Sequence, residues 1–261
     1  MSRALKTVCA AVLLAAALTT AQAGRPCQAR LPAATSVVQA MELAARTQAR
    51  LDASGAQVVA LARAGQDLSA HGLQWSHLGW AYRTPAGPWR VVHKLNHCGS
   101  AQAAVYRQGL GEFFLDDLHL YEAGIVVPTA EVQQRLLPLL QDNTRLAQLH
   151  VPAYNMVAYP WAQRYQQSNQ WAIETLALAM EPGAASRDRA QAWLQFKGYQ
   201  PSVLRVGALT RLGARMTAAH IAFDDHPNDK RFADRIETVS ADSVFRWLGR
   251  SGLGGDVVTV R

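Results

Sequence analysis

Two separated segments constrain this chain most. Ser76-His77-Leu78-Gly79-Trp80-Ala81-Tyr82 alternates as a half-buried strand does and carries a histidine. Far downstream, Ser168 to Met180 places Trp171, Ala172, Leu176 and Ala179 at helical spacings and stops at Pro182-Gly183. A chain holding both is expected to be α+β, an antiparallel sheet packed against helices. The serine that opens the helix can cap it or act as a nucleophile, and a strand histidine can serve as its base.

Thr35-Ser36 can cap a helix reaching about Asp52, with Val38, Met41, Ala45 and Leu51 on its buried side. Residues 57–62 form a short apolar strand. Trp75 to Arg83, a turn from Pro85 to Pro88, and Trp89 to Leu95 read as a hairpin with His77 and His93 on its two arms. Glu112 to Leu115 and Ile125 to Val127 are further strand-like runs. Thr129 can cap a helix toward Leu140, strained or broken near Pro138, and Ser186 can cap another to about Phe196. Later, Ile236 to Val239 reads as a strand that hints at joining the core, and Ser240 caps a last helix through Trp247 to Gly249.

The N-terminus sets a compartment. Arg3 and Lys6 precede an apolar run from Thr7 to Leu18, and Ala21-Gln22-Ala23 supplies the small-residue pattern at which secretory leaders are cut. Residues 1–23 are therefore expected to be a signal peptide and the protein periplasmic or secreted, with no transmembrane segment after its removal. Cleavage removes Cys9 and leaves Cys27 and Cys98, whose pairing is expected in an oxidising space. That bridge would close a loop of about 70 residues and stabilise by ~4 kcal/mol. Without Arg3 and Lys6, the 26 basic residues of the chain still slightly outnumber its 19 acidic ones. They are scattered and often beside acids, so no stripe for nucleic acid emerges. About half of the residues are apolar, enough for one core, here expected over 24–197, with 198–261 as a C-terminal extension packed on it.

The order of a histidine strand, a second histidine strand and a later helix opening after a tyrosine resembles the circularly permuted papain-like hydrolases of the NlpC type. Their helix opens with Tyr-x-x-Cys-Ser-Glu, and this chain has Tyr165-Gln166-Gln167-Ser168-Asn169-Gln170-Trp171-Ala172, with Ser168 at the cysteine position. Ser76-His77-Leu78-Gly79 is similar to the Ser/Thr-His-Val-Gly strand of those enzymes, and His93 matches the polar residue of the next strand. Nearly all of the chain after the leader resembles an uncharacterised group of secreted bacterial proteins, domain-of-unknown-function family 2145, which brings no activity with it.

The papain-like resemblance implies a permuted papain-like core and a catalytic set of Ser168 as nucleophile, His77 as general base and His93 as its orienter. A nucleophile in the first helical turn sits beside unpaired backbone N–H groups that favour an oxyanion. A serine, unlike a thiol, needs close help from the base. Tyr165, Asn169, Gln170 and Trp171 are the neighbouring candidates for substrate contact. One reading is thus an exported hydrolase or acyl transferase acting on amide or ester bonds. The alternative is an inactive relative that binds a peptide, glycan or lipid fragment of the envelope. His93, His97 and Cys98, and His220, Asp224, Asp225 and His226, lack a recognised ligand spacing, so neither a metal nor a cofactor is expected.

Overall fold

The structure, a computed structural model, describes residues 32–83, 87–116 and 118–261. The leader, Cys27 and Pro85 of the hairpin turn lie outside the described residues.

Helix α1, Ala34–Ala53, starts at Ala33 with no side-chain cap, so Thr35 and Ser36 lie inside its first turn and do not cap it. Its buried face is Ala40, Leu43, Ala44, Thr47 and Leu51, whereas Val38 and Met41 are 55% and 37% exposed. The buried face differs from the expected one because this alanine-rich helix offers two apolar stripes. The one that wins packs Leu43 and Leu51 against the Phe113 region.

The main sheet has six antiparallel strands in the order β4-β3-β2-β1-β5-β8. They are β1 Val58–Ala64, β2 His77–Tyr82, β3 Arg90–Asn96, β4 Ala103–Gly109, β5 Leu120–Val126 and β8 Val258–Val260. The expected hairpin is present, pairing Trp80 with Val92 and Tyr82 with Arg90. Along β1, Val58, Ala60 and Ala62 join one cluster with Trp171, Leu136 and Phe245, while Val59 and Leu61 join another with Leu43 and Phe113. Both faces are covered, which is why β1 reads as one apolar run and not as an alternation.

Glu112 to Leu115 is not a strand but part of the short helix α2, Leu110–Phe114. Phe113 and Phe114 are adjacent and both fully buried in one cluster, which a helical turn permits and a strand, with alternating faces, does not. Helix α3, Ala130–Gln141, is capped by Thr129 Oγ1 and runs past Pro138 without a break. Pro138 has no N–H to give the Gln134 carbonyl, so the last turn loses one bond, but the helix continues to Gln141. The short helix α4, Asn143–Ala147, follows under an Asp142 cap.

Helix α5, Ser168–Met180, has the expected bounds. Every residue from Ser168 to Ala179 is buried, so it is the central helix of the core. Helix α6, Arg187–Phe196, begins after Ser186, but the Ser186 side chain makes no capping bond. In the C-terminal region the expected strand exists as β7, Arg235–Thr238, yet it pairs with β6, Ser202–Arg205, in a separate two-stranded sheet. The tail strand β8 joins the main sheet beside β5 instead. Helices α7, Ala208–Thr217, and α8, Asn228–Phe232, lie between β6 and β7. Helix α9, Ala241–Arg250, is capped by Ser240 as expected and buries Val244, Phe245, Trp247 and Leu248 in the α5 side of the core. No described helix is long and apolar enough to cross a membrane.

Candidate functional site

The start of α5 is built by its own amides. Gln167 Oε1 accepts from the backbone N–H groups of Asn169 and Gln170 at 2.7 and 3.3 Å, and Gln170 Oε1 accepts from Gln167 N–H at 3.3 Å. This reciprocal box makes Gln167 the cap, so of the two roles open to Ser168, cap or nucleophile, the first is filled one residue earlier. Ser168 is the first helical residue, and its backbone N–H has no acceptor among the described residues. Its hydroxyl lies beside that of Tyr154, which burial keeps protonated and able to donate.

Asn169 fastens this helix start to the sheet. Its Oδ1 accepts from Leu78 N–H at 2.9 Å and its Nδ2 donates to Val239 O at 3.1 Å. One turn on, Trp80 Nε1 donates to Ala172 O at 2.9 Å. Pairing of β2 with β3 stops at Trp80 and Val92, so Leu78 N–H is open to the asparagine. Gly79 allows β3 to pack close beside that opening. A Cβ there would sit 2.7 Å from Val91 Cγ1 and 3.0 Å from His93 Cβ.

Opposite the serine, four side chains form a hydrogen-bonded line. His77 Nε2 and His93 Nδ1 are 2.8 Å apart, His93 Nε2 and Gln108 Oε1 2.7 Å, and Gln108 Nε2 donates to Glu112 Oε1 at 3.0 Å. The carboxylate only accepts, which orients the Gln108 amide. Gln108 Oε1 then takes the Nε2 proton of His93, and His93 Nδ1 takes the Nε2 proton of His77. His77 is left with an unprotonated Nδ1 that has no partner among the described residues. Burial, with the Arg63 guanidinium nearby, holds His77 well below the usual imidazole range and lowers His93 to about 3, so both rings are neutral at neutral pH. Phe113 packs against both rings.

Ser168, Tyr154, His77, Gln108 and Glu112 all line one cleft of about 570 Å³. The histidine line and the start of α5 both form walls of this cleft. A family model described as an uncharacterized protein conserved in bacteria, DUF2145, matches residues 50–248. The chain belongs to that family. No curated protein and no solved structure matches it. The DUF2145 match runs from the end of α1 into α9 and so takes in both walls of the cleft.

The structure of this DUF2145 protein sorts the residues expected from sequence. His77 and His93 are side by side. No hydrogen bond joins His77 to Ser168 among the described residues. The alternation of β2 explains this: Leu78, Trp80 and Tyr82 face α5, while His77, like Ala81, faces the Phe113 side. Trp171 is wholly within the core with Nε1 directed at Leu146 O, and Gln170 spends its amide on the cap and on Pro160 O, so neither forms the cleft wall. Tyr165 is half-buried beneath the Arg164 guanidinium, also away from the cleft. Asn169 lines the cleft, but both ends of its amide are engaged. His226 bonds Asp225 and the Glu237 carbonyl, which makes it a brace of the β7 region. Among the described residues no group of three or more His, Cys, Asp or Glu side chains is placed to hold a metal.

Tyr154, Gln108 and Glu112 escaped sequence reasoning. The four-residue step from Gln108 to Glu112 is a helical signal, but a strand end occupies its first member. Tyr154 lies in an irregular segment that carries no periodicity.

Proposed function

We propose that this protein is exported and that its cleft binds a carbonyl- or carboxylate-bearing fragment of the cell envelope at the start of α5. The observation that supports this most is the Ser168 N–H, which has no acceptor among the described residues and sits at the positive end of a buried helix, beside the Ser168 and Tyr154 hydroxyls. Two substitutions separate the parts. Ser168→Ala removes only the hydroxyl. Ser168→Pro also removes the N–H while leaving a residue favoured at the first helical position, after a Gln167 whose extended backbone suits a following proline. With acyl-peptide and fatty-acid fragments titrated by ligand-observed NMR, Ser168→Pro is expected to weaken binding about tenfold or more and Ser168→Ala much less. Equal affinities for all three proteins would refute the assignment.

A second reading is hydrolysis or acyl transfer within a permuted papain-like core, favoured by the histidine line that leaves His77 Nδ1 as an acceptor. Ser168 Oγ would attack the carbonyl carbon, His77 Nδ1 would take its proton with His93 holding the ring, and the Ser168 N–H would stabilise the oxyanion. This requires His77 and Ser168 to close on one another around substrate. Stoichiometric fluorophosphonate labelling of Ser168, lost in His77→Ala, would favour this second reading over simple binding.

Export carries its own expectation, a leader cut after Ala23 and a Cys27–Cys98 bridge beside the cleft, which Cys98 lines. Denatured periplasmic protein should take up a thiol reagent only after reduction. Uptake before reduction would rule out the bridge.

A further inference from the structure

The geometry points to α7 as a docking surface for an anionic lipid bilayer. None of its residues from Ala208 to Met216 is buried, although Leu209, Leu212 and Met216 share one face. These three are 85%, 57% and 76% exposed. The helix is held from its opposite side, where Arg211 donates to Asp234 Oδ1 at 2.6 Å and to the Val206 carbonyl. Its apolar stripe therefore faces outward with no cover among the described residues.

Charge selects the partner. Between Val203 and Met216 the chain carries Arg205, Arg211 and Arg215 and no acidic residue. Arg205 lies directly opposite Arg235 at the end of the β6–β7 ribbon. Arg205, Arg215 and Arg235 are all exposed, and none has an ion pair among the described residues. Like charges opposed across two strands disfavour that pairing unless a counter-charge is supplied. A row of apolar side chains, with exposed arginines on the same helix at Arg215 and on the adjoining ribbon at Arg205 and Arg235, fits the boundary between headgroups and acyl chains of an anionic membrane, where the stripe enters the interface and the guanidinium groups meet phosphates. Leu204 before the helix and His220 after it both line the cleft, so docking through α7 would bring the cleft's rim to the lipid surface. The inference does not depend on what the cleft holds.

Sedimentation with vesicles tests it. The protein without its leader should bind phosphatidylglycerol-containing vesicles, bind pure phosphatidylcholine vesicles far less, and lose binding as salt is raised. Leu209→Asp with Leu212→Asp should abolish binding. Arg205→Ser and Arg215→Ser should each weaken it about fivefold. Because these side chains are exposed, thermal unfolding should be unchanged, and Leu212→Trp should show a blue-shifted emission on adding anionic vesicles. Failure to bind anionic vesicles, binding that ignores the Asp substitutions, or a concentration-dependent dimer that those substitutions dissolve would each overturn the proposal, the last by making the stripe a contact between copies of this chain.

Discussion

Replacing Glu174 with alanine is expected to lower stability by about 3–5 kcal/mol, read as a shift of the urea midpoint. Glu174, on α5, is fully buried and is the hub of an ionic network that reaches α6 and β3. Its Oε2 accepts from Arg187 Nε at 2.8 Å and from the Gln166 amide, and its Oε1 from Gln191 Nε2 at 2.8 Å. Gln166 Oε1 in turn accepts from Lys94 Nζ at 2.8 Å. One carboxylate thus serves two buried cations. Burial first, and Arg187 second, push the Lys94 ammonium down to about 7. Without the carboxylate, Arg187 stays charged with no counter-charge in the core, and breaking a buried pair costs far more than never forming it. Adding Arg187→Met to Glu174→Ala should recover part of the loss, since Arg187 cannot shed its charge whereas Lys94, already down at about 7 beside the carboxylate, loses its proton instead. A midpoint unmoved by Glu174→Ala would mean that the network contributes nothing to the fold.

The second large effect is acid sensitivity carried by the histidine pair. Both folded-state values lie below the ordinary 6.5, His93 at about 3, so the unfolded chain binds more protons as the pH falls. The contribution of each ring is complete above 6.5 and is lost progressively below it, down to the folded value. The slope is at most about 1.4 kcal/mol per pH unit for each histidine. Between about pH 6.5 and about pH 4, urea unfolding should therefore show a steep fall that His93→Gln flattens. A slope unchanged in that variant would assign the acid sensitivity to other groups. Lys94 acts over a different window. Its lowered value makes stability rise with pH between about 7 and 10.5, so the two effects are separable in one titration.

Much of the site was present in local pattern. The hairpin with His77 and His93, and the bounds of α5, follow from alternation and helical spacing, signals that neighbouring residues carry by themselves. The pattern places Ser168 at the helix opening, as cap or nucleophile, and the cap is Gln167. Glutamine is a weak indicator of a cap, and only the side-chain geometry shows its oxygen between two N–H groups. The buried face of α1 differs from the one its pattern suggests because alanine is apolar without specifying a side. Phe113 and Phe114 suggested a strand because two adjacent aromatics have high strand propensity, and their shared burial overruled it.

The sequence by itself determined the α+β class, the central helix and the histidine hairpin, since each depends on short-range periodicity or a contiguous motif. Only the tertiary structure decided that β8 closes the sheet edge while β7 pairs with β6, and that Tyr154, Gln108 and Glu112 belong to the cleft. It also decided that His77 and Ser168 approach the cleft from different sides of the sheet. Those outcomes depend on which surfaces meet after folding, and contacts between residues distant in the chain leave no periodic trace along it.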